Sequence, residues 1–365
     1  MSILSASFFR SLATVNISLG ALDTTSPYWG CFQEFQVKFN KQYTLTEIED
    51  RFAVFRENYK TIEAHNSAAN ATFTMGVNQF TDLTAEEFSN YVNLSSGKRR
   101  VDGAVDDWVS WVDVAVDSSG EDAIGSFGCV PMKNQTSYGV EVPVAFDWRE
   151  KGVVSAVRNQ GQCGSCWAFA TTANAESVVA IHGGELLDLS EQYLVDCATG
   201  VGYFNQGCDG GNPDSALKYM IQHGQYLESG YPYVSGVTKV AGKCQGVGGA
   251  QDMEFHECVD VPAGNQRALL SAVVGQPVVV ALSADSRYFQ SYSSGIITSP
   301  GCSTTLNHAV EIVGYGVEAG IKYWTVRNSW DTTWGEAGYV RIARSDSVND
   351  LGVCGIASEP SYLVI

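Results

Sequence analysis

The chain has 365 residues, 45% of them hydrophobic and 17% charged, a globular composition with length enough for more than one domain. Forty acidic against 22 basic residues give a net charge of −18, which argues against nucleic acid and anionic membranes as partners and suits an acidic compartment. Ten cysteines point to an oxidising, secretory route rather than a reducing cytosol.

Residues 11–21 are fairly apolar and follow Arg10, but Asn16 and several serines interrupt them, so residues 1–24 read as a weak signal or N-terminal segment. No apolar run is long enough to predict a membrane span. Further on, Glu47, Arg51, Phe55, Asn58, Ile62 and Asn66 recur at steps of four or three and fall on one helical stripe. That stripe is mostly polar, so its side chains are expected to bond within a larger unit. Gly76-Val77-Asn78-Gln79-Phe80-Thr81-Asp82 then alternates as a strand would. Residues 95–141 form an acidic stretch with Gly, Ser and Asp, containing Trp108, Trp111 and Cys129, which reads as a disordered linker. Glycosylation acceptors at Asn16, Asn70, Asn93 and Asn134 all precede Val142, where a Gly- and Cys-rich globular sequence begins.

Inside that sequence, Gly161-Gln162-Cys163-Gly164-Ser165-Cys166 leads into the apolar helical run Trp167-Ala168-Phe169-Ala170. A cysteine at a helix N-terminus feels unpaired N–H groups and the positive end of the dipole, which favour thiolate, the nucleophilic form. A zinc site would need two more ligands at similar spacing, and there is no second Cys-x-x-Cys or close His pair. A redox pair would need both sulfurs free. A nucleophilic thiol needs a base, and only five histidines are present. His65 lies on the polar-striped helix, His182 and His223 precede glycines as helix ends do, and His256 stands in a charged stretch. His308 opens the strand-like His308-Ala309-Val310-Glu311-Ile312-Val313, and the strand Tyr323-Trp324-Thr325-Val326-Arg327 ends on Asn328.

Cys163-Gly164-Ser165-Cys166-Trp167 matches the nucleophile signature of one protease family, and the chain resembles the papain family of cysteine proteases. The stripe from Glu47 to Asn66, and Gly76, Asn78, Phe80 and Asp82 after it, resemble the ERFNIN-type inhibitory prosegment of the cathepsin L-like subfamily. The resemblance implies an α+β, papain-like two-domain fold, a helical left domain and a β-barrel right domain, preceded by a small helical inhibitory prodomain. On this reading 25–94 is the inhibitory prosegment, 95–141 an acidic propeptide tail and 142–365 the mature peptidase. Asp82, and Glu47 facing Arg51, would lose their pairings in acid and release the inhibitor.

The same resemblance makes Cys166 the nucleophile and His308 its base, working as a thiolate–imidazolium pair, Asn328 the group that orients His308, and Gln160 an oxyanion donor. Trp330 would cover the His308–Asn328 hydrogen bond; Asp331 stands after it where the family usually has Gly. Gly210 and Gly211 would pair with substrate backbone, and Asn212, Pro213, Ala281, Leu306 and Ala309 would line an apolar side-chain pocket with Glu359 at its base. Disulfides are implied between Cys163 and Cys208, Cys197 and Cys244, and Cys302 and Cys354; Cys258 is left unpaired, and Cys31 and Cys129 are left to pair within the prosegment. The implied protein is a monomeric cysteine endopeptidase made as a zymogen, with protein and peptide substrates, its own prosegment as inhibitor, and neither cofactor nor metal. It would prefer bulky apolar, and also Arg, side chains at the second residue before the cut, in a lysosome, vacuole or outside the cell. The alternative is a silent papain-fold protein acting as inhibitor or scaffold through its prosegment.

Overall fold

A computed structural model describes residues 22–93, 129–132, 142–200, 202–246, 249–251, 253–298 and 301–365. The first two helices, α1 (Trp29–Lys38) and α2 (Ile48–Asn66), cross on an aromatic core of Phe32, Phe35, Phe52 and Phe55, with ring centroids of Phe35 and Phe55 5.0 Å apart. The polar stripe of α2 bonds outward as expected: Asn58 Nδ2 donates to the carbonyls of Thr81 and Leu83, and Asn66 Nδ2 to that of Met75.

Two expectations about this region need correction. Glu47 does not bond Arg51, though it feels that residue's charge; it sits just before α2, and its carboxylate accepts from the Thr44 N–H at 2.9 Å. Arg51 instead forks onto Glu87 with two 2.8 Å bonds, while Asp82 accepts from Lys41 and Tyr43. Nor is 76–82 a strand. The strand is β1 (Phe73–Met75), and the following residues turn tightly because Asn78 Oδ1 accepts the Phe80 N–H at 3.0 Å while Thr81 Oγ1 accepts that of Asn78. A reciprocal pair of bonds between Thr84 and Glu87 then starts α3 (Ala85–Asn93).

Downstream, α4 (Cys166–Ile181) is buried on every side from Cys166 to Val178, as its unbroken apolar and small-residue sequence dictates. Around it pack α5 (Glu191–Cys197), capped by Ser190, and α6 (Pro213–His223), capped by Asn212, closing a core with Trp167, Tyr193, Leu194 and Leu217. The C-terminal half is a sheet flanked by α7 (Gln266–Gly275). Its strands are β4 (Glu257–Asp260), β5 (Val278–Leu282), β6 (Tyr292–Ile297), β7 (His308–Glu318), β8 (Ile321–Arg327), β9 (Tyr339–Ala343) and β10 (Ser361–Val364). With β1 and β2 (Val130–Pro131) the order is β1-β6-β9-β8-β7-β5-β10-β4-β2, and β3 (Phe146–Asp147) pairs with β7. The helical and sheet halves are those implied by the resemblance. The helix α4 is stitched to the sheet by Asn174, which donates to the Pro277 carbonyl at 2.8 Å and accepts from the Leu363 N–H at 3.0 Å.

Bridges join Cys163 to Cys208, Cys197 to Cys244 and Cys302 to Cys354, the three pairs expected. A fourth overturns an expectation. Cys258 is not left over and Cys129 does not pair with Cys31: Cys129 and Cys258 are bonded to each other. Residues 129–132 are therefore structured, with β2 parallel to β4, while the rest of the acidic stretch, with Trp108, Trp111 and the Asn134 acceptor, lies outside the described residues. The Asn16 acceptor and the weak N-terminal segment up to residue 21 lie outside them too, and Asn70 is exposed.

Candidate active site

Two elements from opposite halves meet at the site. Cys166 opens α4, and β7 begins at His308 because β5 pairs with it from Leu282 back to Val278. The register sets Ala309 against Cys166, whose Sγ accepts the Ala309 N–H at 3.3 Å. His308 Nε2 meets Asn328 Oδ1 at 2.7 Å, and the same oxygen accepts the Ser329 N–H at 2.8 Å. Because that oxygen can only accept, Nε2 carries a proton, and in the neutral ring the lone pair lies on Nδ1, which is buried without a hydrogen-bond partner. Trp330 stacks over the imidazole, centroids 4.7 Å apart, and is itself 0% exposed. Burial pushes the His308 pKa down to about 4, against the opposing pull of the Asn328 bond.

Gln160 lies beside this pair. Its Oε1 accepts from Ser329 Oγ at 2.6 Å and its Nε2 donates to the Cys163 carbonyl at 3.0 Å, which spends one of its two N–H donors. Cys163, held by Cys208, anchors the loop that carries Gln160 and Cys166. Asp331 adopts φ 68°, the left-handed region where the family's Gly would be at ease, and holds it with its own carboxylate on Thr332 and Thr333.

Of the expected substrate-contact residues, Ala281 and Ala309 pair across β5 and β7, and Leu306 is buried just before β7. Gly211 is required by packing: a Cβ there would stand 2.7 Å from the Trp167 ring. Asn212 spends its side chain as the α6 cap, accepting the Ser215 N–H, and Pro213 takes the first helical position after it. Glu359 is exposed beside β10, close enough for its charge to reach Asp260.

The propeptide presses on the same place. Gln79 Nε2 donates to the Trp330 carbonyl at 2.6 Å, and Phe80, Phe88 and Tyr91 surround the indole at centroid distances of 5.3, 5.7 and 6.0 Å. Sequence reading missed Phe88 and Tyr91; their spacing on a short amphipathic helix was the available signal. It also missed the charges behind the site, where Glu311 and Arg327 lie 3.6 Å apart and Arg158 holds Glu176 and Glu191. Among the described residues, Cys129, Asp214 and Asp260 bring ligand-type atoms together, but Cys129 is spent in its disulfide.

Residues 142–364 match the model of the papain family cysteine proteases, and residues 32–88 match the cathepsin propeptide inhibitor domain. The chain belongs to the papain family of cysteine proteases. It is a papain-like cysteine endopeptidase in zymogen form, carrying its propeptide inhibitor domain. The proprotease is 40% identical over 329 residues to germination-specific cysteine protease 1 of Arabidopsis thaliana, spanning 89% of this chain and 80% of that protein. It is 40% identical over 323 residues to cysteine endopeptidase RepA of Oryza sativa subsp. japonica, spanning 87% and 78% of the two. Among solved structures it superposes on a recombinant stem bromelain precursor with a TM-score of 0.77 at 34% identity, covering 93% of this proprotease and 99% of that chain. Its four disulfides are consistent with the secretory pathway, and no described helix is long and apolar enough to cross a membrane.

Proposed function

We propose that the proprotease matures near Val142 into an endopeptidase that works through Cys166 and His308. The observation that carries this is the 2.7 Å bond from His308 to Asn328, which leaves an unprotonated, buried Nδ1 next to the residue whose N–H holds Cys166 Sγ. Cys166 gives its proton to Nδ1, and the thiolate adds to the substrate carbonyl carbon. The oxyanion takes the Cys166 N–H and the second N–H of Gln160. His308 returns the proton to the leaving amine; water then enters, activated by the same nitrogen, and releases the acid with the thiol restored. Asn328 keeps the imidazole oriented under Trp330, and Gly210 and Gly211 leave room for substrate backbone. Protein and peptide substrates enter once the propeptide leaves, in a lysosome, vacuole or outside the cell.

The pocket for the second residue before the cut is apolar along Pro213, Ala281, Leu306 and Ala309, with Asn212 at its rim. Glu359 at its base pairs with an Arg side chain, so both aromatic or Leu and Arg side chains are accepted. The test uses acid-processed enzyme and paired peptide substrates with Phe or Arg at that position. Glu359→Ala should cut kcat/KM for the Arg substrate by about fivefold while leaving Phe within about twofold, the size of one partly solvated ion pair. Equal loss on both, or none on Arg, rejects the pocket. An epoxide inactivator that fails to label Cys166 after processing rejects the nucleophile.

A further inference from the structure

Among the described residues, the propeptide touches the peptidase at two separate places. One is the pairing of β1 with β6 and the packing of the following turn and α3 around Trp330; the other is residues 129–132, and that contact is covalent. Cys129 and Cys258, 5% and 3% exposed, carry their bridge inside the same core as Trp167 and Leu363. The chain then runs parallel to β4, Val130 against Val259 and Pro131 against Asp260, and Met132 donates its N–H to the Asp260 carbonyl at 2.9 Å. The Cys129 N–H bonds the Asp260 carboxylate, which stands with Asp214 beneath the strand. Burial, and then Asp214, push the Asp260 pKa up to about 7.

We propose that this proprotease matures as a two-chain enzyme, in which a propeptide-derived peptide around Cys129 stays bonded to Cys258 and paired with β4. The proposal rests on the reading that the mature chain begins near Val142. Hydrolysis there consumes one water and makes a new N-terminus, yet the inhibitor domain remains joined through Cys129 at the high effective concentration of a tethered ligand. Hydrolysis of a second bond, between α3 and Cys129, detaches the inhibitor domain and leaves the peptide behind. Freeing the peptide itself takes a thiol reductant: two of its thiols are oxidised to one disulfide while Cys129 and Cys258 each become thiols. Burial of both sulfurs shields the bridge from that attack.

Full-length proprotein is processed at about pH 5 without added thiol, quenched with an epoxide and an alkylating agent, and weighed intact before and after denaturing reduction. The expected first product has the full-length mass plus one water and no peptidase activity, and reduction splits it in two. The expected final product is the peptidase plus a peptide containing Cys129, and Cys258 becomes alkylated only after reduction. N-termini read on the reduced chains locate the junction independently. An N-terminus upstream of Cys129 rejects the junction, because the bridge would then lie within one chain. A chain starting near Val142 with Cys258 already alkylated and no attached peptide overturns the proposal.

Discussion

Asn328 serves two donors with one oxygen, His308 Nε2 and the Ser329 N–H, so the imidazole is held by an acceptor that the backbone itself has fixed. Removing that oxygen frees the ring to rotate and leaves Nε2–H buried beneath Trp330. Asn328→Ala should therefore lower kcat/KM by about 10- to 100-fold, the equivalent of roughly 1–3 kcal/mol for a buried bond. Steady-state kinetics on the processed enzyme decide it, and a loss under threefold contradicts the orienting role. At this scale the sequence was informative. Residue chemistry and the family resemblance together named Cys166, His308, Asn328 and Gln160, and the structure places these four beside one another. Asp331 was legible as a departure, though not that its own carboxylate would support its φ of 68°.

Between elements, the inhibitor domain is held by Arg51 of α2 gripping Glu87 of α3. The Arg51 hydrogen bond holds the Glu87 carboxyl below its ordinary value. A carboxylate whose folded pKa is lowered contributes stability that is complete above the ordinary carboxylate value and lost as pH falls through the lowered one. Acid therefore loosens the α2–α3 junction, and the α3 aromatics around Trp330 loosen with it. Arg51→Ala should move the midpoint of acid processing upward by about half a pH unit or more, as expected of a half-exposed pair. Processing rates measured from pH 4 to 7 check this, and an unchanged midpoint rejects it. The polar stripe showed that α2 must bond to something, but its register alone could not tell Glu47 from Glu87 as the partner of Arg51. The 76–82 segment misled because alternation was read without weighing Asn78, whose side chain closes a turn. The Cys129–Cys258 pair joins positions 129 residues apart and became visible only once the sheet placed β2 beside β4.

Taken whole, the molecule buries acids between its halves. Burial raises Glu311 to about 8, Arg327 opposing it, and burial likewise raises Glu191 to about 8. For an acid with a raised folded pKa, the folded state binds the extra proton between the ordinary value and the raised one, so stability falls as pH climbs through that window. These two acids should accordingly contribute most to stability below their raised values, where the net charge of −18 is also partly neutralised. Glu311→Gln, which mimics the protonated form, should match the parent near pH 4 and exceed its Tm by about 5 °C near pH 7.5. Thermal melts at both pH values test it; a variant that is equally destabilised at both contradicts the assignment.

Both ends of the sheet are finished by strands that precede Val142, β1 beside β6 and β2 beside β4. Loss of the inhibitor domain bares the β6 end, turning a satisfied row of amides into an open template for strand addition. A β2 retained through its bridge, as proposed above, would keep the other end shut. Colloidal behaviour after activation thus becomes one-sided: self-association of the processed enzyme would proceed through β6, and a short β6-competing peptide would be its natural antagonist.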